Sequence, residues 1–272
     1  KNKYWDPFMF KVDKDISKKE ALSKVEKLLE DSVEYRKVSD VEVGLFLSGG
    51  IDSSLIGKLM MDNDRSRLKG FNIDYEEHFQ GYKGEVEEAS YAASSLGFEL
   101  IKEKIRYSDF QELIENYSFY QDDLLGDEVG IPLYFLGKIT HASGIKVVQV
   151  GEGADELFYG YDHWLRFMKV SKYFKPVVSH RSHLMDFKSH RLNLASNMLF
   201  NRTSFAGGAL GFNLAELNQM IDGGVPKDSE LIYYVDNKWD DYFQSKEANL
   251  AKWMTLIDLK IRLPELLLMR MD

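Results

Sequence analysis

Cysteine is absent from all 272 residues, which excludes a disulfide framework and any cysteine-ligated zinc site. Basic residues are in the minority: 35 Lys and Arg stand against 44 Asp and Glu, a net charge of −9 with no basic block. That balance argues against nucleic acid as the main partner. No apolar run approaches the length of a membrane span and no signal peptide is visible, so the expectation is a cytoplasmic protein with no membrane partner. Internal repeats and low-complexity stretches are also missing. What remains is an ordinary 44% of apolar residues in a chain long enough for a large core, in one or two domains.

The most informative stretch is VEVGLFLSGGIDSS, residues 41–54. Residues 43–47 are apolar and suit a buried parallel strand. Ser48-Gly49-Gly50 is a turn that only small residues make cheaply. Asp52 and Ser53 fall where a helix begins, and Leu55, Ile56, Leu59 and Met60 follow with helical spacing. Strand, glycine turn and helix N-terminus together converge bare N–H groups and a positive dipole end on one point, an anion site. The common nucleotide loop ends in Gly-Lys-Ser/Thr, but here an aspartate takes the place of that lysine. A carboxylate beside a phosphate makes sense with Mg²⁺ between them. The same residues also suit an ordinary turn with Asp52 or Ser53 as helix cap.

Around this stretch the pattern alternates. Ser17 and Glu20 have capping-box spacing ahead of an amphipathic helix ending near Arg36. Strands are predicted at 68–74, 98–105 and 146–150, and helices at 85–96, 109–120 and from Pro132 onward. Such alternation predicts an α/β fold, a parallel sheet with helices on both faces. Ligands bind such sheets beyond the carboxyl ends of the strands.

At the end of the 146–150 strand comes GEGADELFYGY, residues 151–161. Two glycines bracket Glu152, and Asp155 and Glu156 fall in a helical first turn, where acids are favoured by the dipole. Three acids within five residues are nonetheless costly unless a cation is shared.

Ser-Gly-Gly-x-Asp-Ser resembles the pyrophosphate loop of the N-type ATP pyrophosphatases. Gly-Glu-Gly-Ala-Asp-Glu-Leu-Phe-x-Gly-Tyr is similar to the signature of the asparagine synthetases, in their ATP-dependent synthetase domain. The YWDP lead-in at Tyr4 and the run from residue 131 to 158 look like that domain too. The resemblance is close over 4–161 and thins over 162–272. It implies an adenine nucleotide alpha hydrolase-like core. It also implies that ATP is cleaved between its α- and β-phosphates to make an acyl-adenylate, which ammonia converts to an amide. Ser48, Gly49, Gly50, Asp52 and Ser53 would then grip pyrophosphate. Leu47 and Ile73 would contact the adenosine, and Gly151 would lie against the ribose or α-phosphate. Asp52 and Asp155 would hold Mg²⁺, and Glu152 would be the general base. The related β-lactam synthetases have tyrosine where Glu152 stands, so glutamate favours ammonia transfer over ring closure. The expected cofactors are ATP and Mg²⁺. The expected partners are a small carboxylate acceptor, aspartate first, and a glutaminase domain supplying ammonia, with a homodimer left open. Amidation of another carboxylate, such as a sugar acid, and a non-catalytic nucleotide-binding regulator are the alternatives.

Three departures stand out. Tyr159 occupies a position where the resembled pattern usually has glycine. No glutaminase domain with an N-terminal cysteine is present, and the chain stops at Asp272, ahead of a segment the resemblance leads one to expect. Residues 1–16 therefore read as the lead-in from a missing glutaminase domain, 17–161 as the α/β core, and 162–272 as a mostly helical portion truncated at its end. Within that portion 248–263 has helical spacing, 205–212 reads as a packing or hinge loop, and His180, His183 and His190 lie in a basic polar segment that suits a surface loop.

Overall fold

Helix α1 (Lys18–Lys37) starts at Ser17, whose Oγ accepts the Glu20 N–H at 3.2 Å, the first half of the expected capping box. After it come β1 (Val43–Phe46), α2 (Ile51–Met60), β2 (Lys69–Tyr75), α3 (Val86–Leu96), β3 (Glu99–Ile105), α4 (Tyr107–Tyr120), α5 (Gly130–Ala142) and β4 (Val147–Gln149). The computed structural model describes residues 15–61, 68–76, 85–120, 129–173, 189–199, 203, 205, 214–226, 230–244 and 248–271. The YWDP lead-in, His180 and His183, and 206–212 of the glycine-rich loop lie outside the described residues. Pro132 falls third in α5 rather than first. The position is still free of cost, because the first four N–H groups of a helix have no intrahelical partner.

The four strands form one parallel sheet in the order β3-β2-β1-β4. The chain moves outward from β1 to β3, then crosses back to place β4 on the other side of β1. This reversal makes the gap between β1 and β4 the switch point, where ligands of open α/β sheets bind. Burial on both faces explains the apolar run of β1 and the buried middle of β2, Gly70 to Ile73. Leu45 and Leu47 pack with Val33, Met60, Ala89, Ala93 and Phe98, so α1, α2 and α3 cover one face. Ile73, Ile105, Leu113, Ile131 and Phe135 form the cluster on the other, beneath α4 and α5. Edge strand β3 carries Glu99, Lys102, Glu103 and Lys104, charges that discourage edge-to-edge pairing.

The chain divides into two compact units, one holding the described residues of Lys11–Glu152 and Leu268–Asp272, the other Gly153–Leu267. The second is helical: α6 (Ala154–Phe158), α7 (Asp162–Ser171), α8 (His190–Leu199), α9 (Leu214–Met220), α10 (Glu230–Phe243) and α11 (Leu250–Ile257). Asn249 caps α11 by accepting the Lys252 N–H at 2.8 Å. The helix then widens into a π-helical stretch, Asp258–Leu268, that contains Pro264. Its core is aromatic: Trp164, Trp239 and Trp253 are buried with Phe205, Met254 and Ile257. Trp253 donates its indole N–H to the Phe205 carbonyl at 2.7 Å, and its ring meets Trp239 edge-on at 5.2 Å. Edge-to-face pairs of this kind add about 0.5–1.5 kcal/mol beyond area burial. No helix among the described residues is long and apolar enough to cross a membrane.

Candidate active site

The turn after β1 leaves donors bare. Helix α2 makes its first backbone bond from the Ser54 N–H to the Gly50 carbonyl at 3.1 Å. Among the described residues the N–H groups of Ser48, Ile51, Asp52 and Ser53 have no backbone acceptor. The loop is braced internally by its serines. Ser48 and Ser53 Oγ lie 3.0 Å apart, Ser53 Oγ donates to the Gly50 carbonyl at 3.3 Å, and Ser48 Oγ accepts the Gly50 N–H at 3.3 Å. Ser53 is buried, so its hydroxyl shapes the loop from beneath, whereas Asp52 is exposed at the first turn of α2.

Gly49 has φ +84°, and a Cβ there would run into the backbone of Glu88 and Ala89 in α3. Glycine is thus required twice, by its dihedral and by the close approach of a second helix. Glu85 stands at the N-cap position of that helix without a side-chain capping bond, and partial desolvation, followed by the neighbouring Glu88 charge, raises its carboxyl above the usual range.

Gly151 follows β4 at the other side of the switch point. A Cβ on it would sit 3.0 Å from the Ser53 nitrogen and 3.3 Å from Asp52 Cβ. The start of the second motif therefore lies directly on the first turn of α2, over its bare donors. The next residue, Glu152, is exposed. Leu47 and Ile73, expected at the adenosine, are both buried: Leu47 in the cluster under α1–α3, Ile73 in the one under α4 and α5. Both side chains are taken up by those clusters.

In the helical unit, Gly153 takes φ +93° and opens α6, whose first turn holds Asp155 and Glu156 as the spacing predicts. Asp155 is half-buried, and any Cβ on Gly160 would overlap its carboxylate. Glu156 is 1% exposed. Its Oε1 accepts the Tyr161 hydroxyl at 2.6 Å and faces Arg262 Nη1 at 3.5 Å; Asp258 Oδ2 faces the same nitrogen at 3.3 Å. Arg262 also stacks over the Tyr161 ring at 4.8 Å. Burial and then the Glu156 hydrogen bond push the Tyr161 hydroxyl well above its ordinary pKa. The cation that offsets Glu156 is therefore Arg262. This residue escapes a sequence reading, because Asp258, Lys260, Arg262 and Glu265 follow one another within eight residues and nothing local singles out the arginine.

No cluster of three or more His, Cys, Asp or Glu side chains able to hold a metal occurs among the described residues. Asp52 and Asp155 are hard oxygen donors, and Mg²⁺ takes one or two carboxylates with substrate phosphates and water completing its shell. The pair of residue types fits that ion.

The family described as asparagine synthase matches residues 24–272. Asparagine synthetase [glutamine-hydrolyzing] 1 of Bacillus subtilis is 42% identical over 132 residues, which cover 48% of this chain and 20% of that protein. A putative asparagine synthetase [glutamine-hydrolyzing] 2 of Methanocaldococcus jannaschii is 36% identical over 162 residues, 58% of this chain and 30% of that protein. A putative asparagine synthetase [glutamine-hydrolyzing] of Mycobacterium bovis is 28% identical over 239 residues, 84% of this chain and 36% of that protein. The chain thus spans between 20% and 36% of the length of these curated relatives.

Proposed function

This chain belongs to the asparagine synthase family, and on that premise we propose that it is the synthetase portion of an AMP-forming amide synthetase. The observation that carries the proposal is the seating of Gly151 on the first turn of α2, which brings the start of the second motif to the switch point beside the first. In the proposed reaction a carboxylate oxygen of the acceptor, aspartate first, attacks the α-phosphorus of ATP. The bond to the β-phosphate bridging oxygen breaks and pyrophosphate leaves. Ammonia, supplied by a glutaminase domain, then attacks the acyl carbon, and AMP leaves with the oxygen it gained.

Each residue has a part. The bare N–H groups of Ser48, Ile51, Asp52 and Ser53 hold the β- and γ-phosphates as pyrophosphate departs. Gly151, lacking a side chain, lets ribose and α-phosphate approach. Asp52 and Asp155 would hold Mg²⁺, which when bound supplies charge neutralisation for the polyphosphate. Glu152, exposed beside Gly151, takes the proton from nitrogen as the attack yields an ammonium-like adduct. The backbones around Leu47 and Ile73 meet the adenosine.

The experiment that tests this two-step reading is the Glu152→Gln variant. Its product formation should fall by about a hundredfold or more, in the range for a lost general base. Acceptor-dependent exchange of labelled pyrophosphate into ATP should fall far less, because adenylation precedes the need for the base. Equal loss of both activities would move Glu152 out of the base role.

A further inference from the structure

We infer that Asn72 is a positioning residue for the pyrophosphate loop, setting the direction of the Ser48 N–H. Asn72 lies in β2 between Phe71 and Ile73 and is 6% exposed. Its Nδ2 donates to the Leu47 carbonyl at 2.7 Å, while its Oδ1 is buried without a partner among the described residues. The amide can take only this orientation, since the flipped one would set Oδ1 against a carbonyl oxygen. An orphaned buried acceptor is destabilising, a cost that an apolar strand residue would avoid. A strand built only to pack would not carry it.

The consequence follows from peptide geometry. Leu47, the residue after β1, still bonds sideways, its N–H reaching the Phe71 carbonyl in β2 at 3.0 Å. Its carbonyl points to the same side, but the chain is already turning into the loop. The Asn72 side chain meets that carbonyl where a β2 backbone N–H would otherwise stand. The peptide unit is planar and trans, so the Ser48 N–H points opposite to the Leu47 carbonyl. Holding the carbonyl on the β2 side therefore presents the Ser48 N–H on the β4 side. That is the switch-point gap, where Gly151 lies and where the other bare donors gather. The first donor of the cradle is thus aimed by a side chain from the neighbouring strand, which has no place in either motif.

The inference rests on the reading of residues 48–53 as a pyrophosphate site, and the test separates the two. Calorimetric titrations of the full chain with magnesium pyrophosphate and, separately, with AMP would compare wild type, Asn72→Leu and Asn72→Asp. Leucine removes the donor together with the orphaned acceptor. Aspartate keeps the shape but replaces the donor with an acceptor, and it serves if the leucine variant fails to fold. Pyrophosphate affinity should fall by about tenfold or more in both, while AMP affinity stays within about twofold and the thermal midpoint of the leucine variant within about 5 °C. Unchanged pyrophosphate affinity, or parallel loss of both ligands with a lowered midpoint, would reduce Asn72 to a packing role and overturn the inference alone. Failure of the wild type to bind pyrophosphate would overturn the loop reading and this inference with it.

Discussion

Tyr159 shows how a single residue carries a local conflict. It ends α6 in the left-handed region, φ 59°, the one non-glycine residue with positive φ among the described residues. The glycine of the resembled pattern would adopt that conformation freely, whereas a residue with a Cβ holds it at about 1–2 kcal/mol. The tyrosine ring offsets the strain by packing against the Trp164 cluster, with centroids 6.1 Å apart. Truncation should therefore invert the usual order. Tyr159→Ala loses the ring and keeps the strained Cβ, so it should be about 1 kcal/mol less stable than Tyr159→Gly, measured by urea unfolding. Alanine as the more stable of the two would show that the left-handed cap carries no strain. The departure at 159 was visible in the sequence, but its cost needed the dihedral. Asn72 was harder to see, because a polar residue inside KGFNIDY looks like an edge position until Nδ2 is found on the Leu47 carbonyl. Glu156 read as one of three acids in want of a cation, and its partner Arg262 lies more than a hundred positions away, beyond any local pattern.

Among the elements, the strand and helix sites of the first unit were legible within a residue or two, since periodicity and glycine turns act locally. The sheet order was legible only as alternation; it took the pairing of β1 with both β2 and β4 to locate the switch point. The role of α3 was not legible at all, because Gly49 and Glu88 meet across space through backbone. Helix α3 also supplies a pH-dependent effect. Partial desolvation, and then the Glu88 charge, hold the Glu85 carboxyl above the ordinary carboxylate value. A raised folded pKa means that the protonated form suits the fold better. Stability from this group is full below about pH 4.5 and is lost as pH rises through the higher folded value. Glu85→Gln should therefore raise the thermal midpoint slightly at neutral pH and leave it unchanged near pH 3, where the carboxyl is protonated in both states. A variant less stable than wild type at neutral pH would mean that the ionised carboxylate is favoured in the fold.

For the whole molecule, the proposal has the two motifs read the nucleotide, and family membership narrows the chemistry to amide synthesis of the asparagine synthase type. The first unit holds the phosphate loop, Gly151 and Glu152; the helical unit holds Asp155, with Glu156 fixed by Arg262 and Tyr161 beside it. An AMP-forming amide synthetase makes one demand that no kinase-like use of the same loop would share. The acceptor oxygen must end on the α-phosphate, because it attacks there and stays behind when the amide forms. The measurement is to supply the full-length protein with ATP, Mg²⁺, ammonium and aspartate labelled with ¹⁸O in its side-chain carboxylate, and to read the mass of the products. The account predicts one ¹⁸O in AMP and none in pyrophosphate. Label in orthophosphate with ADP as the nucleotide product would contradict it.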